Sequence, residues 1–164
     1  MPYSLKDKHP FLTELIKHGE VYLVGGSVRD HFLKFDTKDF DLIVRNTPIE
    51  KLIETLKPFG NTNLVGKSFG IVKFNPNDQK SLEFDIALPR TETSTGQGHR
   101  DFEVHFDPEI SIEDDLQRRD FTINAMAINL DTKELIDPFH GQNDLKEKKI
   151  RTVFENSFTE DPLR

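Results

Sequence analysis

The sequence predicts an α+β domain, and three observations carry that expectation. Apolar residues at 11, 12, 15 and 16, and again at 49, 52, 53 and 56, recur with helical spacing. Short runs at 21–24, 40–44, 70–74 and 81–87 have the composition of strands and are flanked by Gly, Pro, Asn or Asp. The two kinds of element alternate irregularly along 164 residues with no internal repeat, a length that suits one domain with a real core.

Taken in order, residues 11–17 predict a helix and 21–24 a buried strand. That strand runs into Gly25-Gly26-Ser27, where Ser27 is the expected N-cap of a helix to about residue 35. The strand at 40–44 follows, with Asp39 at its entry and Asp41 inside it. Thr47-Pro48 opens another helix, with Pro48 expected at the first helical position. Residues 70–74 and 81–87 predict a hairpin across Asn75-Pro76-Asn77-Asp78. Residues 91–109, with Gly96, Gly98 and scattered charges, are expected to be irregular. Helices are expected at 112–118 and 122–127, a short strand at 134–136 before Asp137-Pro138, and a last strand at 150–153. Glu160-Asp161-Pro162-Leu163-Arg164 has the composition of a helix start. A helix that has only begun buries nothing, so the chain is expected to be the head of a longer protein.

Composition narrows the function. The net charge of −7 argues against binding nucleic acid through a basic surface alone, but not against an acidic catalytic site. The absence of cysteine rules out disulfides and thiolate metal sites. No apolar run approaches the ~20 residues of a membrane span. Lys6, Asp7, Lys8 and His9 interrupt any signal-peptide core, so a cytoplasmic protein without a membrane association is expected. The histidines at 9, 18, 31, 99, 105 and 140 show no ligand spacing and argue against a metal phosphohydrolase.

The chemistry concentrates in four places. A strand, a Gly25-Gly26-Ser27 turn and a helix start bring backbone N–H groups close to where phosphate oxygens would lie. Ser27 and Arg29 add side-chain donors there, with Asp30 placed to orient Arg29. On its own this is also an ordinary strand–helix turn. Asp39 and Asp41, at i and i+2 of a strand, face one side and can hold Mg2+ against a triphosphate, although such pairs are common on surfaces. Asp85 sits on the polar side of Leu82-Glu83-Phe84-Asp85-Ile86. A strand beside 40–44 would bring it near Asp39 and Asp41 as a general base or metal ligand; the alternative is a plain solvent face. Arg118-Arg119-Asp120 precedes apolar residues, so its polar groups need partners, which triphosphate and ribose oxygens would supply. Capping by Asp120 beside exposed arginines is the structural alternative.

Leu23-Val-Gly-Gly-Ser-Val-Arg-Asp30, Lys38-Asp-Phe-Asp41, Asp114-Asp-Leu-Gln-Arg-Arg-Asp-Phe-Thr-Ile-Asn-Ala125 and Glu160-Asp-Pro-Leu-Arg164 together resemble the ordered motifs of the bacterial tRNA nucleotidyltransferase and poly(A) polymerase family, the class II enzymes of the DNA polymerase β-like superfamily. The resemblance implies a head domain with a mixed, mostly antiparallel sheet of about five strands flanked by helices. It divides the chain into an N-terminal helical extension at 1–20, a catalytic head at 21–155, and the start of a neck helix at 156–164. It implies Mg2+ at Asp39 and Asp41, triphosphate contacts at Gly26 and Arg29, and a nucleotide contact at Arg119; with Gly25, Ser27 and Asp120, taken from the turn and the Arg-Arg-Asp run, these make up the expected nucleotide-binding set. Asp161 and Arg164 would read the Watson–Crick edges of C and A, so that protein groups act as template. A loop within 91–107 would help switch from C to A addition.

Lys34-Phe35 stands where many relatives have Leu-Gly, which suggests a differently ended helix. The implied activity is addition of CMP and AMP, from CTP and ATP, to the 3′ end of tRNA held mainly by domains outside this chain. Poly(A) polymerase and partial CC-adding or A-adding enzymes share these motifs. A catalytically retired nucleotide- or RNA-binding module is the reading from a different class, and the retained clustered acids argue against it. A small-molecule nucleotidyltransferase would not need Arg118-Arg119-Asp120 or the terminal motif.

Overall fold

The computed structural model describes residues 4–37, 39–65, 70–79, 81–94 and 102–154. Two short helices, α1 (Leu5–Lys8) and α2 (Pro10–Ile16), lead into β1 (Glu20–Val24). Then follow α3 (Gly26–Phe32), β2 (Asp39–Arg45), α4 (Ile49–Leu56), β3 (Gly60–Val65), β4 (Ile71–Pro76) and β5 (Glu83–Ala87). The strands β6 (Arg90–Ser94) and β7 (Phe102–Phe106) precede α5 (Ile112–Gln117), a 3-10 turn at Thr122–Asn124, β8 (Ala127–Asn129), β9 (Leu135–Ile136) and α6 (Gly141–Glu147).

Seven strands form one sheet in the order β3-β4-β5-β2-β1-β8-β9, two more than the expected five, and β6 and β7 form a separate hairpin. Every pairing in the large sheet is antiparallel except β2 with β5.

Strand alternation divides the apolar residues between two cores. Val21, Leu23, Leu42, Val44, Val72, Phe74, Phe84 and Ile86 pack on one face with Phe11, Leu12, Leu15, Leu52 and Leu56 from the helices. There the ring of Phe11 meets Phe74 and Phe84 edge-on, with centroids 4.7 and 5.0 Å away, an arrangement favoured by aromatic quadrupoles. Tyr22, Val24 and Ile43 face the other way, onto Ile112 and Leu116 of α5. Asp39 and Asp41 share the parity of Ile43, so they point to the α5 side, beyond the part of that face the second core covers.

Several elements differ from expectation. Pro48 caps α4 rather than starting it, a one-residue difference. Residues 122–127 form a single 3-10 turn and then enter β8, because Ala127 and Ile128 are buried in the sheet beside β1. The strand expected at 150–153 is one bridge, Phe121 to Thr152. The stretch expected to be irregular contains the β6–β7 hairpin, with Arg90 opposite Phe106 and Thr91 opposite His105. Gly96 and Gly98 lie outside the described residues, as does the helix expected at 160–164.

At the end of α3, Lys34 adopts φ 60°, a left-handed position usually given to glycine. The Phe35 N–H bonds to Asp30 O and the Lys34 N–H to His31 O, closing the helix with a Schellman motif. The helix thus ends on a lysine held in the left-handed region.

Candidate active site

The parallel pairing of β2 with β5 assembles the acids. It sets Asp39 opposite Glu83 and Asp41 opposite Asp85, while β4 sets Lys73 opposite Asp85. These residues, with Phe40, line a cleft of about 240 Å³. Lys73 Nζ is 2.5 Å from Glu83 Oε1 and 3.0 Å from Asp85 Oδ1, and the two acids hold its ammonium above its ordinary pKa, Glu83 most strongly. Asp41 is pushed the other way from an easily ionised carboxyl. Its pKa is raised by the surrounding protein, which displaces water, and by repulsion from Asp85 and Asp39, with Arg119 partly offsetting.

Main-chain geometry holds β2 in place. Pairing with β1 covers Leu42 to Arg45 and stops short of the two aspartates. Backbone groups left at that edge need other partners. Ser27 supplies them: its hydroxyl donates to Asp39 O at 3.1 Å and accepts the Asp41 N–H at 3.2 Å. Ser27 is thus not the N-cap, which is Gly25, and its hydroxyl is committed to the strand rather than offered to a ligand.

Gly25 has φ 67° and ψ −134°, the mirror image of extended backbone. A Cβ there would lie 2.7 Å from Arg119 Nη1 and 3.7 Å from Asp41 Oδ2. The bare glycine therefore lets the Arg119 guanidinium lie over the turn, beside the acids. Burial lowers the pKa of Arg119, while Asp115 and Asp41 favour its charge. Among the described residues its buried Nε has no hydrogen-bond partner. Arg29 is aimed by two groups: Nε donates to Asp30 Oδ1 at 2.9 Å and Nη1 to Asn124 Oδ1 at 2.9 Å. Gly26 lies against that guanidinium, and a Cβ on it would stand 3.4 Å from Arg29 Nη2.

Asp120 accepts the Phe121 N–H at 2.7 Å, and the 3-10 turn begins after Phe121, so Asp120 is neither a helix cap nor the holder of an arginine. That role belongs to Asp115, which is wholly buried and binds both Arg118 and Arg119. Asp161 and Arg164 lie outside the described residues. The sequence reading missed Lys73, Glu83, Asp115 and Asn124. Lys73 was accessible from the alternation of the hairpin, and Asp115 from its i, i+3 and i+4 spacing to Arg118 and Arg119.

Among the described residues, no three carboxylates or imidazoles converge on a point that would hold a metal alone. Two carboxylates on one strand face suit Mg2+, whose shell is ordinarily completed by substrate phosphates and water. No helix among the described residues is long and apolar enough to cross a membrane.

Residues 21–151 match the family model described as the poly A polymerase head domain. The chain is 42% identical over 145 residues to a CCA-adding enzyme of Marinobacter nauticus, covering 88% of this chain and 36% of that protein. It is 44% identical over 147 residues to a multifunctional CCA protein of Acinetobacter baumannii, covering 88% of this chain and 32% of that one. Among solved structures, the Bacillus stearothermophilus CCA-adding enzyme in complex with CTP superposes with a TM-score of 0.76 at 31% identity, over 99% of this chain and 37% of that one. A CCA-adding enzyme in complex with ATP gives 0.70 at 36% identity, over 98% and 34%. The chain thus spans about a third of the length of these relatives.

Proposed function

The chain belongs to the poly A polymerase head-domain family, and from that premise we propose that it is the catalytic head of an enzyme that adds CMP and AMP, from CTP and ATP, to the 3′ end of tRNA with release of pyrophosphate. The observation that carries this reading is the approach of two features: the β2 carboxylates, and the Arg119 guanidinium laid over Gly25 near Asp41.

Mg2+ held by Asp39 and Asp41 would activate the attacking hydroxyl and neutralise charge on the triphosphate. The chain's own groups do the rest. Gly25 and Gly26 leave the backbone open to phosphate oxygens. Arg29, already aimed by Asp30 and Asn124, and Arg119, with an unsatisfied Nε, draw the triphosphate and ribose toward the acids. Asp85, paired with Lys73, stands opposite Asp41, where it can take the proton of the incoming 3′ hydroxyl or join the metal's ligands. Asp120 shapes the turn after Arg119 through the Phe121 N–H. Asp161 and Arg164 select C or A by their hydrogen-bonding edges. Ser27 serves by fixing the backbone of both metal-holding aspartates.

The division into an N-terminal extension at 1–20, a head at 21–155 and a neck from 156 belongs to this proposal. So do a tRNA held mainly by parts outside this chain and work in the cytoplasm. Poly A addition is the second reading, favoured by the description of the matching family. Incubating the natural-length protein with tRNA lacking its 3′ CCA, and with CTP alone, ATP alone or both, tests the two. CMP incorporation from CTP alone, completed by one AMP when both are present, supports CCA addition. Long AMP runs from ATP alone support the second reading, and no incorporation of either refutes both.

A further inference from the structure

Asp115 joins the candidate nucleotide arginine to a hairpin that the arginine does not itself contact in any described bond. Oδ1 of Asp115 accepts the backbone N–H of Arg90, the first residue of β6, at 3.0 Å. The same oxygen accepts Arg118 Nε at 3.2 Å and Nη2 at 3.1 Å. Oδ2 accepts Arg118 Nη2 at 3.3 Å and Arg119 Nη2 at 3.4 Å. Arg118 then extends Nη1 to Glu92 Oε1 on β6 at 3.3 Å, and Arg90 Nη2 lies 3.1 Å from that same oxygen. A continuous charge chain, Arg119–Asp115–Arg118–Glu92–Arg90, thus runs from the Gly25 turn to β6.

The bonds along it are unequal. Most of those orienting the Asp115 carboxylate come from Arg118 and Arg90. The Arg119 bond to it is long, near the outer limit for a hydrogen bond. The orientation of the carboxylate is thus set mainly by Arg118 and Arg90, and Arg119 meets it where they place it. Asp115 is wholly buried, so its orientation cannot be relaxed by water.

We propose that Asp115, Arg118 and Glu92 are positioning residues, a relay through which the place of β6 sets the place of Arg119 over Gly25 and so the affinity for nucleotide. The proposal rests on the nucleotide-site reading above. Buried charge networks can also serve only to pin elements together, and such a role would appear in stability without coupling to the nucleotide.

A double-mutant cycle distinguishes the two roles. CTP with Mg2+ is titrated calorimetrically into the natural-length protein, Glu92→Gln, Arg119→Lys and the double variant, with the thermal midpoint of each recorded. Glu92→Gln is expected to weaken CTP binding about three- to tenfold in the parent, and by less than about twofold when Arg119 is already lysine. Should Glu92→Gln not fold, Glu92→Asp, which draws the carboxylate back from Arg118, is expected to give the same non-additivity at smaller size. Equal weakening in both backgrounds, or unchanged binding in the single variant, overturns the relay while leaving the nucleotide site standing. A parent protein that binds neither CTP nor ATP overturns the nucleotide reading and the relay together.

Discussion

Replacing Gly25 by alanine tests the turn on which the whole site rests. With φ 67° and ψ −134°, the position is one that only glycine occupies without penalty. Forcing a side chain into such a conformation costs about 1–3 kcal/mol. The new Cβ would also lie 2.7 Å from Arg119 Nη1, so the guanidinium must move, stretching its 3.4 Å bond to Asp115. Alanine recovers about 0.4–1 kcal/mol by restricting the unfolded chain. Strain less recovery is a net loss of up to about 2.6 kcal/mol, which lowers Tm by up to roughly 5–10 °C for a domain of this size, and displacing the Arg119 guanidinium adds to it. Gly26→Ala is the control: its Cβ would stand 3.4 Å from the flexible end of Arg29, at a helical position where alanine is favoured. Thermal unfolding followed by circular dichroism should show a large fall for the first and no fall for the second. Equal midpoints for Gly25→Ala and the parent would show that neither the left-handed backbone nor the Arg119 contact constrains this position.

Lys34→Gly relieves a left-handed lysine and should raise Tm by about 2–4 °C, measured by the same unfolding experiment. The buried Asp144 carboxylate is held below its ordinary pKa, first by the Thr122 hydroxyl and then by Arg151. Its contribution is therefore present above about pH 4 and disappears as pH falls through the lowered value. Asp144→Asn should accordingly lower Tm at pH 7, with the gap to the parent closing in acid. The raised pKa of Asp41 has the opposite sign, because the folded protein holds that proton more tightly and ionisation costs stability. Asp41→Asn should raise Tm at pH 7, and the gain should shrink as pH falls toward about 3.

The site was legible where local pattern determines geometry. Asp39 and Asp41 follow from strand parity, and a parallel neighbour for β2 puts Asp85 beside them, as expected. The glycine turn was legible as a turn, but not the reason for Gly25, since Arg119 arrives from a distant part of the chain. Ser27 was misread because a serine at a helix start ordinarily caps it; here an unpaired strand edge takes the hydroxyl. The short strand β8 was hidden by a sequence that suits a helix, and burial against β1 overrides that propensity. The β6–β7 hairpin was hidden by its charges, since Glu92 and Arg90 are neutralised with the help of Arg118 at the end of α5, which no local window contains.

The β2 acids are proposed to make a metal-dependent nucleotide site. The most direct test is calorimetric titration of CTP and ATP, with and without Mg2+, into this protein and into Asp39→Ala/Asp41→Ala. Both nucleotides should bind in a Mg2+-dependent way, and binding should be lost in the double variant with the fold intact. Binding that is indifferent to Mg2+, or undiminished in the double variant, would mean that Asp39 and Asp41 do not hold a metal for the nucleotide.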